Sequence, residues 1–378
     1  MRILQVATLF TPDGEYGGPV RVAMNQALAL AAAGHEVTLA GAARGFGGER
    51  MHVDGVRMRL RPAAQVIPGI GFAGLYAKGL VRGLVRDIGD YDIVHIHLSR
   101  EFVTLPVATL VSRRGIPYVV QTHGMIDLSN HPLSVPLDRF LTRPALRGAD
   151  RVLYLTGTEL GLLQEFAGND LHTACLRNGV PMPAEYVEPP DGPPEVLFLA
   201  RLHQRKRPDL FVRVAQDILR AGTSATFTVV GPDGGMLAAL EAQVGEDGGV
   251  ALEGPVSPDA VAGRMARASV YVLPAVNEPY PMSVLEAMAV GRPVVVTRTC
   301  GLADAVRTYE CGIVVEESAA ALKHAISFYL DNPDAAHAHG RNGRRAVREH
   351  FSMNAIRAEL EQIYHGCGTG RRSRGARC

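Results

Sequence analysis

Short apolar runs alternate with helix-type spacing of apolar residues along nearly the whole chain. In the first half the runs predict strands at 2–7, 35–40, 53–60, 92–97, 117–121, 151–155 and 172–177. Helical spacing predicts helices at 19–33, 75–88, 135–148 and 159–166. Continuous apolar strands separated by helices are typical of a parallel sheet that is covered on both faces. The pattern therefore predicts one doubly wound, Rossmann-like α/β domain over residues 1–180.

The alternation stops at residues 181–194 and then resumes. This stretch contains six prolines in fourteen positions, which is typical of an interdomain linker. Further strands are predicted at 196–200, 225–230, 250–252, 270–274, 293–297 and 312–315, with helices between and after them. A second doubly wound domain is thus predicted over 195–350, then a helix at 351–366 and a disordered tail at 367–378. Two such domains bind ligands at the carboxyl ends of their strands, and we expect those ends to face a shared cleft.

Length and composition narrow the class of protein. A chain of 378 residues exceeds the size at which single cores stop growing, and its net charge of +1 disfavours nucleic acid as a partner. Five cysteines are scattered without a CxxC pair, which favours a reducing compartment and neither a disulfide framework nor a zinc site. No apolar window of about 18 residues predicts a membrane span. We therefore expect a soluble, cytoplasmic protein.

Two carboxylates follow one strand of the second domain, at 270–274. Glu278 lies in the loop after this strand, and Glu286 lies eight residues later in a helix predicted to open at Ser283. The amides of Met282, Ser283 and Val284 at the helix entrance would form an anion site. The alternative is that Ser283-x-x-Glu286 is a capping box, in which Glu286 only satisfies a backbone donor.

Cations and glycines follow the other strands of that domain. Arg201 and Lys206 bracket a loop that runs into a helix at Pro208, where two cations beside helix amides would neutralise a diphosphate. A solvated basic loop is the alternative. Gly231, Gly254 and nearby Val256 would let a base or ribose lie against the backbone, and ordinary glycine turns are again the alternative.

In the first domain, candidate residues follow the first and fifth strands. Gly17 and Gly18 permit a phosphate to approach a helix N-terminus, although a plain turn explains them equally well. His123 lies in a polar loop at a strand end, where it suits hydrogen bonding or proton chemistry, or caps a neighbouring loop. His95 and His97 lie within a strand, and we expect them to be packed in the core.

Together these positions describe a diphosphate flanked by a ribose and a sugar. In this interpretation Glu286 accepts hydrogen bonds from the ribose and Glu278 from the sugar. No D-x-D pair occurs at a strand end, so cations take the place of a metal and no metal or other cofactor is expected.

At this point the chain resembles a known family, the retaining nucleotide-sugar glycosyltransferases of GT-B fold, glycosyltransferase family 4. The resemblance runs from Met1 to about Tyr364. Its motifs are Tyr16-Gly17-Gly18-Pro19, Thr122-His123-Gly124, Asn178-Gly179-Val180-Pro181, Arg201-Leu202 with Lys206, Glu253-Gly254, and Glu278 with Glu286 in an E-x7-E spacing that continues to Gly291-Arg292-Pro293. The last of these is the most specific.

The resemblance implies residue roles and an activity. Arg201 and Lys206 would bind the donor diphosphate that Gly17 and Gly18 approach. Glu286 would bind the ribose, Glu278 the sugar, and His123 would lie near the sugar's hydroxymethyl group. It also implies that the final helix crosses back to the first domain. One departure is the Pro279-Tyr280-Pro281 sequence where the family often has Gly-Phe-Gly, which removes one amide at Pro281.

The resulting hypothesis is an enzyme that transfers a hexose from a UDP- or GDP-sugar to an acceptor hydroxyl with retention of configuration. The acceptor would be a sugar, a lipid-linked sugar or a small molecule, in the synthesis of a polysaccharide, glycolipid or natural product. A nucleotide-sugar epimerase and a non-catalytic sensor are the alternatives. Acceptor residues are expected at 41–49 and 125–134. Four arginines form a basic stripe at helical spacing: Arg341, Arg344, Arg345 and Arg348. The stripe suggests contact with the inner membrane face, and a solvated helix face is the simpler alternative.

Overall fold

The computed structural model describes residues 1–11, 17–45, 52–66, 71–126, 134–245 and 249–367. The chain divides into two compact units: unit 1 comprises Met1–Gly179 with Met353–Cys378, and unit 2 comprises Val180–Ser352. The predicted tail, apart from Cys367, and parts of the two predicted acceptor segments lie outside the described residues.

Unit 1 is built on a mostly parallel sheet. Over the described residues its strands are β1 (Arg2–Phe10), β2 (Glu36–Ala43), β3 (His52–Val53), β4 (Val56–Gln65), β5 (Leu75–Ala77), β6 (Ile93–His97), β7 (Tyr118–Gln121), β8 (Arg151–Tyr154) and β9 (Thr173–Cys175). They lie in the order β3-β4-β2-β1-β6-β7-β8-β9, with β5 paired to β4. The two pairings of β4 with β3 and β5 are antiparallel, and the other pairings are parallel.

Helices cover this sheet on both faces. They are α1 (Gly17–Ala32), α2 (Leu80–Leu84), α3 (Thr104–Arg114), α4 (Ser134–Leu137), α5 (Arg143–Gly148) and α6 (Gly157–Ala167), with a π-helical turn at Asp138–Thr142 joining α4 to α5. Two separate apolar clusters pack against the sheet. The prediction of a doubly wound first domain is therefore confirmed.

Two local predictions in unit 1 were wrong in part, and one helix was missed. Residues 75–77, expected to be helical, form β5 because they pair antiparallel with Ala63–Gln65 of β4. The predicted strand at 53–60 is a hairpin whose turn residues, Asp54 and Gly55, both have positive φ, which Asp-Gly favours. Helix α3 was not predicted at all.

The last helix of the chain, α14 (Met353–His365), belongs to unit 1. Ile356, Leu360 and Tyr364 are buried in one of its apolar clusters, and Glu361 pairs with His35 at 3.0 Å. The spacing of these three apolar residues places them on one face of the helix, and their burial fastens the helix to α1 and the sheet. The predicted return of the final helix to the first domain is confirmed.

Unit 2 contains an all-parallel sheet over the described residues. Its strands are β10 (Glu195–Leu199), β11 (Thr226–Val230), β12 (Val250–Gly254), β13 (Val270–Leu273), β14 (Val294–Thr297) and β15 (Gly312–Val315), in the order β12-β11-β10-β13-β14-β15. Its helices are α7 (Pro208–Arg220), α8 (Leu237–Val244), α9 (Val261–Ala266), α10 (Met282–Ala289), α11 (Ala303–Thr308), α12 (Ala319–Asp331) and α13 (Pro333–Ala346). A π-helical turn at Val347–Phe351 follows α13. This confirms the second doubly wound sheet.

The proline-rich segment 181–194 has no helix or strand, but it is fastened to unit 2. The Tyr186 ring lies under two guanidinium groups, with the Cζ of Arg292 at 5.4 Å and that of Arg344 at 6.0 Å from its centroid. Arg292 is buried and donates to the carbonyls of Val187 and Ala266. The arginine of the Gly291-Arg292-Pro293 motif thus binds the segment that leads into the unit.

The predicted basic stripe on α13 is partly engaged within the protein. Arg344 donates to the carbonyl oxygens of Ala289 and Pro183, both at 2.9 Å, and Arg345 donates to the Asn342 side chain at 3.2 Å. Arg344 therefore helps to hold unit 2 together, so the stripe is not simply a solvated face. Among the described residues, no helix combines the length and apolarity needed to cross a bilayer. The cysteines within that part of the chain are free thiols.

Candidate functional site

The loops after β10 and β13 meet in unit 2 because these two strands are sheet neighbours. The loop after β10 contains a 3₁₀ turn, Gln204–Lys206, just before α7 begins at Pro208. Within these loops the Val276 amide donates to the Arg205 carbonyl at 2.8 Å, and the Arg205 guanidinium donates to the Asn277 carbonyl at 2.5 Å. Arg205 therefore ties the two loops together at the carboxyl ends of their strands.

This contact brings together two of the predicted site residues. Lys206 Nζ lies 2.6 Å from Glu278 Oε2, and their side chains are 21% and 15% exposed. An ammonium and a carboxylate that remain partly accessible at this edge of the sheet can bind an anionic group and a hydroxyl group side by side. The structure thus places the cation predicted for phosphate directly beside the carboxylate predicted for sugar.

Helix α10 does not begin as the capping box requires. The N-cap residue is Pro281 and no side chain caps the helix, so Ser283 is the second helical residue and Glu286 the fifth. The Ser283 hydroxyl instead accepts a hydrogen bond from Tyr271 Oη at 2.7 Å. The capping-box alternative was wrong, because Pro281 shifts the register and has no N–H for a glutamate to bind.

The helix entrance offers fewer amides than predicted. The Val284 amide already donates to the Pro281 carbonyl at 3.1 Å. The amides of Met282 and Ser283 belong to the first turn, where a helix supplies no partner of its own. Because Pro281 is the cap residue, its missing N–H does not remove a donor from this first turn. Glu286 is partly buried on the same helix.

Glycines near Arg201 have different reasons to be glycine. A Cβ at Gly234 would lie 2.9 Å from Arg201 Cγ, so this glycine makes room for the arginine side chain. A Cβ at Gly231 would lie 1.9 Å from the Ala200 carbonyl oxygen, so internal packing requires this glycine. Gly254 has φ +76 but open space around its Cα, and Val256 is partly exposed nearby. Close packing therefore explains Gly231, and the left-handed backbone of a glycine turn also explains Gly254, although the space around it is open.

Other motif residues of unit 2 have structural partners. Glu253 and Glu195 both bind Arg264, at 2.7 and 2.6 Å, so the glutamate of the Glu253-Gly254 motif ties β12 to α9. Arg207 has φ +54 and donates to the Glu317 carbonyl at 3.2 Å. The basic loop therefore divides its cations: Arg205 and Arg207 hold backbone, whereas Lys206 faces Glu278.

In unit 1, Gly17 and Gly18 form the first turn of α1, two residues earlier than predicted. Among the described residues, nothing lies within 4 Å of a Cβ placed at Gly18, and its φ is not positive. The described part of the fold therefore does not require glycine at this position. Residues 12–16, which include Gly14 and Tyr16, lie outside the described part of the chain.

His123 lies at the end of a row of three stacked histidine rings. The ring centroids of His95 and His97 are 4.4 Å apart, and those of His97 and His123 are 5.1 Å apart. His97 Nδ1 and His123 Nε2 share a hydrogen bond of 2.8 Å, and His95 Nδ1 and Tyr364 Oη share one of 2.7 Å. The expected burial of His95 and His97 is confirmed, and His97 also contacts the candidate site residue His123.

Burial keeps these rings neutral. It lowers the pKa of His95 and of His123 to about 3, and it lowers the pKa of His97 well below the ordinary value. A neutral imidazole can donate from one nitrogen and accept at the other, so His123 suits hydrogen bonding to a sugar hydroxyl better than proton transfer near pH 7.

One residue that contacts the His123 loop was not singled out from the sequence. Glu159 was assigned only to a helix, yet its carboxylate accepts hydrogen bonds from the Thr122 hydroxyl and the Gly124 amide on either side of His123. The available signal was Thr156-x-x-Glu159, a capping-box sequence at the start of α6.

Among the described residues, no group of three or more His, Cys, Asp or Glu side chains is arranged to hold a metal ion.

Comparisons with known proteins show the family of the chain. A model of the family described as glycosyl transferases group 1 matches residues 185–346, and one described as a glycosyl transferase 4-like domain matches residues 17–179. The two matches together span most of both units. The chain belongs to the group 1 glycosyltransferases.

Individual relatives of this family are moderately similar to the chain. The D-inositol 3-phosphate glycosyltransferase of Acidothermus cellulolyticus is 32% identical over 61% of this chain and 58% of its own length. The alpha-D-kanosaminyltransferase of Streptomyces kanamyceticus is 26% identical over 85% and 91%. The solved structure of Anabaena HepE with UDP and glucose superposes with a TM-score of 0.76 at 18% identity, covering 97% of this chain and 99% of that one.

These similarities establish the fold and the class of enzyme. The structural neighbours confirm the GT-B fold. The chain is a glycosyltransferase, as predicted. The named relatives are transferases, so the comparisons give no support to the epimerase alternative.

Proposed function

We propose that this glycosyltransferase moves a hexose from a UDP- or GDP-sugar to an acceptor hydroxyl, with retention at the anomeric carbon and without a metal ion. The observation that carries this proposal is the Lys206–Glu278 pair, held at the edge of the unit 2 sheet by Arg205. The family resemblance supplies the stereochemistry.

In the proposed site, Lys206 and Arg201 bind the donor diphosphate together with the amides of Met282 and Ser283. Charge that develops on the departing diphosphate would be stabilised by cations and amides already in position. When the phosphate binds Lys206, Glu278 no longer pairs with this lysine and can accept hydrogen bonds from the donor sugar. Glu286 is assigned to the ribose, and Gly254 with Val256 to the base.

In unit 1 the proposed contributions are smaller. Gly18 is assigned to the approach of the diphosphate, since the described residues around it do not require glycine there. His123 is assigned to the hydroxymethyl side of the donor sugar. With no side chain assigned as a covalent nucleophile, we propose front-face attack by the acceptor, in which a donor phosphate oxygen takes its proton.

For the acceptor we propose a small polyhydroxylated ring, because the relative from Acidothermus cellulolyticus is named for an inositol phosphate. The scattered cysteines favour a reducing compartment as the place of action. The internal contacts of Arg344 and Arg345 argue against a role of the whole α13 stripe in membrane attachment.

The test is to replace Lys206 by Ala and to use Lys78→Ala as the matched control, since Lys78 is exposed in unit 1. Turnover of UDP- and GDP-sugars with inositol and aminocyclitol acceptors should fall about 100-fold or more in Lys206→Ala. Nucleoside diphosphates should also lose their thermal stabilisation of that variant. The Lys78→Ala enzyme should match the wild type. Unchanged turnover by Lys206→Ala would refute the phosphate assignment.

A further inference from the structure

His123 lies at a backbone position that a histidine seldom adopts. The Met125 amide donates to the Thr122 carbonyl at 2.9 Å, and the two residues between them, His123 and Gly124, have φ values of +53 and +70. Positive φ at both central residues is the pattern of a type I′ turn. The backbone of a residue other than glycine is strained at such φ values. This strain persists only where the surrounding contacts fix the conformation.

Glu159 supplies those surroundings. Its Oε1 accepts hydrogen bonds from the Thr122 hydroxyl at 2.5 Å and from the Gly124 amide at 2.6 Å, the residues immediately before and after His123. Its Oε2 accepts from the Leu155 amide at 2.7 Å. The residue is only 5% exposed. One buried carboxylate therefore joins the His123 turn, after β7, to the end of the neighbouring strand β8.

Glu159 also lies in the first turn of α6, but its carboxylate does not bind the N-cap amide as in a capping box. Its backbone amide donates to Thr156 Oγ1 at 3.2 Å, which caps α6. In a capping box the carboxylate would return to the N-cap amide. Here it binds the amide one residue earlier and the turn that contains His123. Helix capping alone therefore does not account for the direction of this side chain.

The His123 ring is held from the other side by His97. The shared hydrogen bond engages Nε2 of His123, and the two rings are nearly parallel, at 9°. His123 Nδ1 is buried and has no hydrogen-bond partner among the described residues. With the turn and one ring nitrogen both fixed, the remaining nitrogen has a defined direction.

We propose that Glu159 is a positioning residue for sugar transfer, which acts by holding the left-handed turn that orients His123. This rests on the proposed contact of His123 with the donor sugar. Glu159 does not itself touch substrate, since three protein donors occupy its carboxylate.

The experiment is a double-mutant cycle of Glu159→Gln and His123→Ala, with kcat and KM measured for each variant. Glutamine has the same shape but only one acceptor oxygen, so it cannot satisfy all three donors. Glu159→Gln should lower kcat roughly tenfold, since a small misplacement of a contacting group slows transfer. In the His123→Ala background the same change should lower kcat no further, because the group it positions is gone.

Thr156→Ala is the matched control. It removes the side-chain cap of α6 and leaves the three bonds of the Glu159 carboxylate intact. This variant should lose thermal stability but keep its kcat. Thr122→Val, which deletes one of the three donors, should shift kcat in the same direction as Glu159→Gln but by less, and it serves if Glu159→Gln does not fold.

A readout independent of activity is the imidazole ¹⁵N resonance of His123. It is assigned as the one signal of the 13 histidines that disappears in His123→Ala. Glu159→Gln should move this resonance and Thr156→Ala should not. An unmoved resonance in Glu159→Gln and in Thr122→Val would overturn the proposal, and so would losses of kcat that multiply in the double mutant.

Failure of the proposed role of His123 gives a different result. In that case His123→Ala would leave kcat and KM unchanged, which overturns the contact with the sugar and any role of Glu159 in transfer. The ¹⁵N shift would then still show whether Glu159 orients the ring.

Discussion

Two helices of the protein have the same sequence signature near their start, a hydroxyl residue followed three positions later by a glutamate. At α6, Thr156 caps the helix and Glu159 reaches the turn around His123. At α10, Pro281 takes the N-cap position, and the Ser283 hydroxyl accepts a hydrogen bond from Tyr271 on the preceding strand. A capping signature therefore shows only that a cap is possible, and the neighbouring strands decide what its side chains bind.

The difference has a local cause. At α6 the N-cap is Thr156 and Glu159 is the third helical residue, the position of a capping-box glutamate, whereas at α10 the N-cap is Pro281 and Glu286 is the fifth helical residue. Glu286 therefore lies one helical turn beyond the N-cap, outside the capping-box position. The carboxylate of α6 joins two loops of its own unit, whereas the ribose role proposed for the glutamate of α10 does not compete with helix capping.

The largest predicted effect is a dependence of stability on pH. It arises from the three stacked histidine rings, of which His123 lies in the turn that Glu159 holds. His95, His97 and His123 stay neutral in the folded state, with the pKa of His95 and His123 lowered to about 3, while the unfolded chain takes up protons below about 6.5. Protons therefore favour the unfolded state. The free energy of unfolding should therefore be highest above pH 6.5. It should fall with decreasing pH, by up to about 1.4 kcal/mol per pH unit for each neutral histidine.

This dependence can be measured by chemical denaturation between pH 7 and 5, followed by circular dichroism. His97→Asn should reduce the slope, because one of the three histidines no longer titrates. An unfolding free energy that stays constant over this range would show that the rings are not held neutral. The rate of sugar transfer should not decrease between pH 7 and 5 through protonation of His123, because this ring stays neutral over that range.

The second effect separates the two glutamates directly. Glu159→Ala should lower the free energy of unfolding by about 3 kcal/mol, since it leaves three donors in the interior without their acceptor. Glu286→Ala should change it by less than about 1 kcal/mol and should instead weaken binding of nucleoside diphosphates. Denaturation and calorimetry of both variants would check this. Equal losses of stability would contradict the distinction between them.

The smallest effect separates the two hydroxyl residues. Thr156→Ala should lower the unfolding free energy by about 1 kcal/mol, the usual value of a lost helix cap. Ser283→Ala should have an effect of less than about 0.5 kcal/mol, because Tyr271 Oη keeps the Leu199 carbonyl, 3.0 Å away, as an acceptor. A larger loss in Ser283→Ala than in Thr156→Ala would reverse the assignment of the caps.

Much of the fold could be predicted from the sequence, because buried parallel strands leave continuous apolar runs. The strands of unit 2 were all predicted, and so were the positions of Lys206 and Glu278 after two of them. The errors have tertiary causes. Residues 75–77 have a helical pattern but pair with β4, and α3 lies in a stretch whose apolar spacing was not recognised.

The sequence by itself determined the order of strands and helices, the family, and the strand ends at which polar residues lie. Periodicity and spacing act over a few residues, and they suffice for each of these. Only the tertiary structure decided that Lys206 pairs with Glu278, that Ser283 binds Tyr271, and that Glu159 holds the turn of His123. The hydrogen-bonding groups of Glu159 and Gly124 lie 35 residues apart, and β7 and β8 must pair before they can meet.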